Sequence, residues 1–557
     1  MDNYTINDYL RISDSLFSKD SSKRLEWVGV MKKVMPELVR AGYLRDNDPA
    51  QRERICTRAN GNGYKLASAH MSYITPMGYP WVVFEGAGGN AEGDDKLWWA
   101  KASDAVRDAL EMSNLYTELI SVYIDRVFTG TACMLTENDE TTGDLVHTHI
   151  PAGTYVLANN AQRMPDTCIR TFKMTPGQMV EEFGYEACSE RVRQEFNSAE
   201  KRYAKEYEIR HIVMPRRDYV EMWRSVPPTM RKYMSVYIDK ENKTILREGG
   251  YYEFPYLVTR FIRYGNQVYG TSPFMGLEDV IDDLRAMDEC AKITAQRSAI
   301  PPVVIPPDMV GQVDFRAGGT TVLPLQYMNA QVPRELAPPI PNATVLEEKQ
   351  MLRDDLDSAL FRPILEVISS VDRGMTATEV LKREEEKIMT FTQSFTQFIA
   401  DAKPWLYRVF ACVARAGKID VDGAPSGVFM DQKDSQDRVV SDWIVSPKVK
   451  NIGKMAQAYE RAQNAGTMQA ISIIQELANI SQNPEMLMVV DWEETSRDLL
   501  ISSGMPARLI NSKDKVRQMR DELTEAQAQQ AGTEQLVQQS QAGLNNAKAQ
   551  QIMSQIQ

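Results

Sequence analysis

Two histidines separated by one residue are the first side chains in the sequence with a spacing suited to binding a metal ion. His147 and His149 alternate within the strand-like run HTHIPAGTYVLAN, so both imidazoles are expected on one face of a strand. A zinc site needs three or four ligands, and the sequence has four histidines in all and no HExxH motif. The two imidazoles are therefore predicted to be ordinary polar groups, and no metal site is expected.

Motifs for catalysis or cofactor binding are also missing from the sequence. GNGYK at residues 61–65 is rich in glycine but lacks the GxxxxGK[ST] spacing that cradles phosphate, so it is predicted to be a turn. No GxSxG nucleophile elbow is present. The acidic pairs Asp282-Asp283 and Asp354-Asp355 are each adjacent on a predicted helix, where neighbouring side chains do not face one another. We therefore expect no catalytic residues, no cofactor and no enzymatic activity.

The charge balance argues against sequence-specific recognition of nucleic acid. The formal net charge is -12, from 64 Lys and Arg against 76 Asp and Glu. Phosphate contacts need Lys and Arg, and basic pairs such as Arg216-Arg217 are isolated along the sequence. An acidic wall would repel a nucleic acid that slides past it, but an ordinary acidic soluble protein has the same composition.

The cysteines and the apolar runs indicate an intracellular, soluble protein. The six cysteines are scattered, with no CxxC pair, which is typical of reduced thiols: Cys56, Cys133, Cys168, Cys188, Cys290 and Cys412. The first residues, MDNYTINDYLRISDSLF, lack a basic region followed by an apolar core. No apolar run approaches the ~20 residues of a membrane span. We expect a protein made in the cytoplasm, with no membrane partner.

Helices and a β-rich region would carry any functional groups. An apolar stripe from Val106 to Ile124 predicts one helix over residues 100–127, although Tyr116 is one step off the stripe. Residues 145–260 contain several strand-like runs. A length of 557 residues suggests two to four domains, and the expected fold class is α+β, mainly α.

Two long amphipathic helices bracket a proline-rich insert. Their apolar patterns predict helices over residues 274–299 and 344–368, the second with a kink at Pro363. Nine prolines exclude a long helix from residues 300–343. Helices with one apolar and one charged face can surround a pore, but an ordinary helical hairpin with a long loop has the same pattern.

Six segments, taken in order along the chain, carry a family resemblance. They are LASAHMSYITPMGYPWVVF (66–84), LYTELISVYIDRVFTGTACMLTENDE (115–140), QVYGTSPFMGLEDVIDDLRAMDE (267–289), DRGMTATEV (372–380), IVSPKVK (444–450) and VVDWEETSRDLLISSGMPARLINS (489–512). In order and spacing they resemble the portal family of short-tailed bacteriophages, the head-to-tail connecting proteins. The resemblance covers roughly residues 25–515, and the tail after residue 511 matches no motif of the family.

The resemblance implies a portal fold with wing, stem, clip and crown, assembled as a ring of twelve subunits around a central channel. Placed on this sequence, the parts have these bounds: a wing at 1–270, a first stem helix at 271–299, a clip at 300–343, a second stem helix at 344–368, a tunnel loop at 369–375, a long wing helix with following strands at 376–446, a crown at 447–510, and a Gln-rich C-terminal tail at 511–557, either helical or disordered.

The resemblance also implies roles for particular residues. The DNA-facing tunnel loop would be Ser369, Ser370, Val371, Asp372, Arg373, Gly374 and Met375, with Arg373 touching phosphate. Candidates to face the channel from the stem are Glu278, Asp282, Arg285, Glu289 and Lys292. Residues that would pack the stem, with its apolar faces against neighbouring subunits, are Leu277, Ile281, Leu284, Leu352, Leu356 and Leu360. The clip would dock partners through a segment marked by Pro306, Pro307, Gly318, Gly319, Pro338 and Pro339.

A portal of this kind would have a defined set of partners. The resemblance implies the major capsid protein and scaffold, the terminase large subunit, the tail adaptor and nozzle proteins, and double-stranded DNA held without sequence specificity. The protein would be assembled in the host cytoplasm and would reside at one vertex of the virion capsid. Two alternatives are an internal scaffold or core protein without a channel, against which the proline-rich insert counts, and a packaging nuclease, which would need a convergent metal-binding cluster.

Overall fold

The structure is a computed structural model, and it describes most of the first 420 residues. The described residues are 4–37, 55–86, 94–139, 142–219, 226–299, 303–304, 334–335, 343–363, 377–420 and 447–452, together with short segments within 423–428 and 470–548. Helices and antiparallel sheets both contribute and helices predominate, which confirms the α+β class, mainly α.

The elements follow one another along the chain with few long connections. The principal helices are α1 (Ile6–Lys19), α2 (Ser21–Val34), α3 (Thr57–Ile74), α4 (Asp94–Met112), α5 (Leu115–Phe128), α6 (Pro176–Phe183), α7 (Glu190–Phe196), α8 (Lys201–Ala204), α9 (Glu278–Ala299), α10 (Ala343–Ala359) and α11 (Ala377–Arg415). The strands are β1 (Val82–Glu85), β2 (Thr131–Asn138), β3 (Leu145–Ile150), β4 (Tyr155–Asn159), β5 (Pro165–Met174), β6 (Tyr207–Pro215), β7 (Tyr233–Asp239), β8 (Thr244–Tyr251), β9 (Tyr256–Arg260), β10 (Val303–Val304), β11 (Arg334–Glu335) and β12 (Lys448–Asn451).

The main core lies where α3, α5 and α11 pack around an antiparallel sheet of order β3-β2-β9. Arg260 at the end of β9 and Asp401 of α11 form an ion pair with almost no solvent exposure, and the Arg260 amide also donates to Asp401 Oδ2 at 2.9 Å. Arg126 of α5 is equally buried and donates to the Ser394 carbonyl and to the Arg260 carbonyl. These guanidinium groups tie α5, β9 and α11 into one unit.

A five-stranded antiparallel sheet of order β4-β5-β6-β7-β8 is covered by helices on both faces. Side chains of α1, such as Tyr9 and Leu10, pack on the face that carries Ile212 and Val236. The opposite face packs under α6 and α7 through residues such as Met179. Alternate residues along each strand point to opposite faces, which is why one sheet supports two separate apolar clusters.

Strand β12 returns to the N-terminal half of the chain. It pairs antiparallel with β1, with Val82 opposite Asn451 and Glu85 opposite Lys448. The sequence had assigned residues 447–510 to a crown. Residues 448–451 pair with a strand of the segment that was expected to be the wing, and the bounds of the crown stay a prediction.

Two predictions about the first 130 residues are wrong. The helix expected over residues 100–127 is two helices, because Ser113 interrupts it by accepting from the Leu115 amide and donating to the Leu110 carbonyl. The GNGYK segment lies inside α3 and is not a turn. A Cβ on Gly63 would lie 2.4 Å from Phe128 Cζ and 2.9 Å from Phe274 Cζ. The glycine therefore allows α3 to pack closely on α5 and on Phe274.

His147 and His149 both point inward from β3, as their spacing predicts, and each is bound by protein groups. His147 is buried, and its Nδ1 lies 3.0 Å from Thr136 Oγ1. Burial lowers the pKa of His147 to about 4. His149 Nε2 lies 2.8 Å from Asp125 Oδ2, and although burial opposes its charge, the carboxylate of Asp125 raises the pKa of His149.

These opposite pKa shifts predict opposite contributions to acid stability. The His147 pKa is lower in the folded state than its unfolded value of about 6.5, so stability is lost as the pH falls from about 6.5 toward 4, by at most about 3 kcal/mol. His147→Gln should therefore flatten the fall of the free energy of unfolding across that window, measured by urea denaturation at several pH values. His149→Gln is the control and should lose most stability at the acid end, because the raised pKa of His149 stabilises the fold below about pH 6.5. An unchanged pH profile in His147→Gln would contradict this assignment.

Candidate functional site

The two helices that bracket the proline-rich insert form a helical hairpin. Helices α9 and α10 contact each other, and just beyond them β10 and β11 pair antiparallel, with Val303 opposite Glu335. Asp288 of α9 joins the helices, because its Oδ1 lies 2.5 Å from Lys349 Nζ and 3.8 Å from Arg353 Nη2 of α10. The insert therefore leaves and re-enters the hairpin at neighbouring positions.

The apolar sides of both helices are buried inside this chain. Leu352 is partly buried and the other members of this set are nearly inaccessible to solvent: Leu277, Ile281, Leu284, Leu352, Leu356 and Leu360. All of them belong to the main core. The expectation that this face meets a neighbouring subunit is therefore corrected: it fixes the hairpin to its own subunit, and each buried leucine contributes about 2 kcal/mol.

A lysine of α2 binds the start of α9. Lys33 Nζ lies 2.7 Å from Glu278 Oε1 and 2.7 Å from Asp282 Oδ2, and Arg285 Nη1 lies 3.0 Å from Asp282 Oδ1. Partial burial disfavours the charge of Lys33, but the two carboxylates outweigh it and raise the pKa of Lys33. Three of the predicted channel-facing residues are thus engaged in contacts within the chain at the base of the hairpin.

Asp357 binds the end of α10 to α3. Arg58 Nε and Nη2 donate to the two Asp357 carboxylate oxygens at 2.9 and 2.5 Å, and Asn62 Nδ2 donates at 2.8 Å. Arg362 Nη1 adds a fourth bond at 3.2 Å. Burial alone would raise the pKa of Asp357, but its bonds to Arg58 and Asn62 outweigh burial and lower it. Both helices of the hairpin are therefore clamped to the body at its base.

Helix α10 ends earlier than the sequence predicts. Its last residue is Ala359, not residue 368, and Phe361 has φ +59°. The break therefore falls at Phe361, two residues before the kink expected at Pro363, and Arg362 and Pro363 are helical again. A left-handed bulky residue is strained, and the bonds of Arg362 to Asp357 lie beside it.

The outer side of the hairpin is exposed and mostly acidic. Its exposed carboxylates are Asp279, Asp283, Glu289, Glu347, Glu348, Asp354 and Asp355. Lys292 is an exposed base on the same helix as Glu289. Of the five predicted channel-facing residues, Glu289 and Lys292 are the two that lie fully on this surface.

Other predicted site residues fall outside the described part of the chain. This is true of the tunnel loop at residues 369–375, of the clip markers from Pro306 to Pro339, and of most of the crown and tail. Their assignments stay predictions.

Sequence reasoning missed the residues that clamp the hairpin. Lys33 lies 245 positions before Glu278, and Arg58 lies 299 positions before Asp357. A single sequence carries no signal for a pairing over such distances, because each side chain looks like one more surface charge on an amphipathic helix.

The described residues show no cluster of three or more His, Cys, Asp or Glu side chains that would hold a metal ion. In the same part of the chain, no helix combines the length and the apolar character that crossing a membrane requires.

Comparisons with known proteins place this architecture in a family. The model of the family described as "Bacteriophage head to tail connecting protein" matches residues 14–510 of this chain. The portal protein of Salmonella phage epsilon15 is 27% identical over 87% of this chain and 84% of its own length. The probable portal protein of Bordetella phage BPP-1 is 26% identical over 66% of this chain and 68% of its own length. A chain from the virion of a native gene transfer agent particle, 11% identical, superposes with a TM-score of 0.35 over 78% of this chain and 89% of that chain.

The family match spans nearly the whole chain, and it includes both helices of the hairpin and the residues that clamp them. The chain therefore belongs to the bacteriophage head-to-tail connecting proteins, the portal proteins of short-tailed phages.

Proposed function

We propose that twelve copies of this chain form a ring at one capsid vertex, and that double-stranded DNA passes through the central channel during packaging and ejection. The wing, stem, clip and crown have the bounds given above, with β12 moved from the crown to the wing. The tunnel loop at residues 369–375 points at the DNA, with Arg373 near phosphate.

The clamped hairpin is the observation that supports this proposal. Its apolar side is used within the subunit, so the hairpin is a rigid projection whose outer side is free to face a channel or a neighbour. Ion pairs at its base fix its direction, Lys33 with α9 and Arg58 with α10. A cyclic arrangement of identical rigid projections closes on a central hole.

The charge of the outer side suits a passage that does not retain DNA. Exposed carboxylates outnumber the exposed bases along the described hairpin, and twelve copies at -12 carry a formal charge of about -144. Like charges repel phosphate, which keeps a moving duplex from sticking. The chain then acts as a passive channel and not as an enzyme, and the motor supplies the energy.

The clip would dock the terminase large subunit during packaging, and then the tail adaptor and nozzle proteins. The wing would contact the major capsid protein and scaffold. Assembly would take place in the host cytoplasm, before the ring becomes part of the virion.

Mass measurement tests the ring directly. Native mass spectrometry of the 63.1 kDa chain should give a species near 757 kDa, and negative-stain images of the same sample should show rings with a hole. Where the isolated chain stays monomeric, co-expression with the scaffold should produce the ring. Compact dimers under both conditions would contradict the proposal and favour the internal scaffold alternative.

The Asp357 clamp gives a second prediction. Asp357→Asn should weaken the bonds to Arg58 and lower the free energy of unfolding by about 2 kcal/mol, because a part-buried guanidinium loses its charged partner. Hydrogen exchange should rise at residues 343–359 more than in the sheets. Asp354→Asn, an exposed position one turn earlier on α10, is the control and should change neither quantity. Equal effects of the two variants would show that Asp357 does not anchor the hairpin.

Shortening the insert separates docking from assembly. Because β10 and β11 pair with Val304 opposite Arg334, residues 305–333 can be replaced by Asn-Gly, the two-residue turn that suits such a pair. The shortened chain should form rings as before but lose binding to the terminase large subunit in a pull-down. Retained binding would exclude the insert as the docking site, and loss of rings would show that it serves assembly.

A further inference from the structure

Three short helices between β5 and β6 present aromatic rings and an arginine to solvent. α6, α7 and α8 cover one face of the five-stranded sheet, and apolar side chains such as Met179 and Val192 pack against that face. The outer surface of these helices carries four residues that we call the tyrosine–arginine patch: Tyr185, Phe196, Arg202 and Tyr203. The structure describes residues 142–219 without a gap, so the neighbours of the patch along the chain are all described.

The members of the patch contact one another in a row. Arg202 Cζ lies 4.3 Å from the centroid of the Phe196 ring and 5.4 Å from that of the Tyr203 ring. The Phe196 and Tyr185 rings meet edge to face, with their centroids 6.1 Å apart. A guanidinium that already lies against aromatic rings loses little further freedom when it binds a partner, so the patch is preorganised.

Close packing of α8 on α6 holds the patch in place. A Cβ on Gly177 would lie 3.3 Å from Tyr203 Cε1 and 3.4 Å from Arg202 Cγ, so the glycine leaves room for both side chains. Asn197 Nδ2 donates to the Tyr185 hydroxyl at 3.3 Å. Tyr203 is nevertheless 69% exposed and Tyr185 40% exposed. The patch therefore offers solvent two aromatic rings that are held in position.

Two other arginines on this face of the sheet also lie against aromatic rings, and each has a glutamate partner. Arg247 Cζ lies 5.0 Å from the centroid of the Phe183 ring, and Arg247 Nη2 lies 2.6 Å from Glu182 Oε1. Arg193 also lies over a ring, and its Nη1 is 3.6 Å from Glu186 Oε2. The charge of both stacked arginines is therefore balanced within the chain.

Arg202 has the aromatic contacts but not the acid. Among the described residues, no carboxylate lies within ion-pair distance of Arg202, and its Nε is buried without a hydrogen-bond acceptor. Glu206, four positions along the chain, instead lies 3.2 Å from Lys173. A guanidinium presents donors in a planar fork that matches the two oxygens of a carboxylate. Arg202 can therefore bind a carboxylate from outside the described part of its own chain.

We propose that the tyrosine–arginine patch binds a neighbouring copy of this chain, with Arg202 paired to a carboxylate of that copy and Tyr203 covered by it. Tyrosine and arginine side chains that are buried at a protein interface supply much of its binding energy. A second copy also fits by charge, because each copy has a net charge of -12 and exposed carboxylates predominate on its hairpin. A cation without an acid in its own chain thus meets a surface rich in carboxylates.

The choice of a second copy rests on the proposed function, in which identical subunits form a ring. Such a ring closes through contacts between two unlike surfaces of each subunit. The apolar side of the hairpin is used within its own subunit and does not supply this contact. An arginine of fixed direction suits a contact that repeats identically between all neighbours. Glu186 and Glu200, which are exposed and close to the patch in sequence, disfavour the phosphates of DNA as the partner.

Dilution of purified subunit rings of the full-length chain tests the proposal, with native mass spectrometry and sedimentation velocity reporting the chain concentration at which half of the rings dissociate. The variant combines Arg202→Gln with Tyr203→Ser. We expect its half-dissociation concentration to rise at least about 10-fold. Added salt should weaken the unmodified ring more than the variant ring, because the variant lacks the ion pair. Tyr203→Ser alone changes an exposed side chain, should shift the concentration in the same direction, and serves if the double variant folds poorly.

A matched control, Arg191→Gln with Tyr264→Ser, removes one exposed arginine and one exposed tyrosine outside the patch and should stay within about 2-fold of the unmodified chain. Unchanged dissociation of the variant ring, or equal losses in variant and control, would overturn the proposal. Variant rings of normal stability that no longer enter capsids would overturn it in favour of a contact with the capsid protein. Unmodified chain that forms no ring, with or without the scaffold, would overturn the proposed function as well, so the two failures are distinguished.

Discussion

An arginine–aspartate pair without access to solvent fixes the arrangement of this subunit. Arg260 ends the strand β9, Asp401 lies in the middle of the 39-residue helix α11, and Arg126 of α5 reaches the same place. Removing one partner of such a pair leaves a buried charge and costs about 3–5 kcal/mol, so the pairing specifies how the long helix lies on the sheet. The leucines of the hairpin pack on the core that this pairing organises. Side chains of the five-stranded sheet belong to the same core.

Polar side chains bind main-chain groups along one edge of the three-stranded sheet. β3 is an edge strand, and Asn114 bonds both the amide and the carbonyl of His147 while Glu118 accepts from the His149 amide. These side chains occupy main-chain groups that would otherwise be open to pairing with another strand. A subunit that must assemble only through chosen surfaces benefits from an edge that is already satisfied.

The sequence predicted elements well where one pattern dominated. The alternation of His147 and His149, the two helices around the insert and the long helix ending near Gly417 all follow from local periodicity and breakers. It failed where a contact between distant residues decided the outcome. Phe128 packs where a Cβ on Gly63 would lie, so this glycine serves helix packing and not a turn. The leucines of the hairpin face their own subunit because α9 contacts α2 and α10 contacts α3. Lys33, Arg58 and Asp357 carried no local signal, so the clamps of the site were not predictable.

The net charge is a second property of the sequence that does not predict how residues are arranged in space. A net charge of -12 agrees with the exposed hairpin, where carboxylates predominate, but the number does not say where on the surface the other charges lie. At the end of the five-stranded sheet where β5 ends and β6 begins, for example, glutamates lie within ion-pair distance of basic side chains, as Glu206 does of Lys173 and Glu208 of Lys240. Since electrostatic interaction at the surface is screened over about 8 Å at physiological salt, a partner responds to the charge of the surface it touches and not to the sum over the chain. The fold, through the pairing of strands and helices, therefore determines which charges a partner meets, and the sum over the sequence does not.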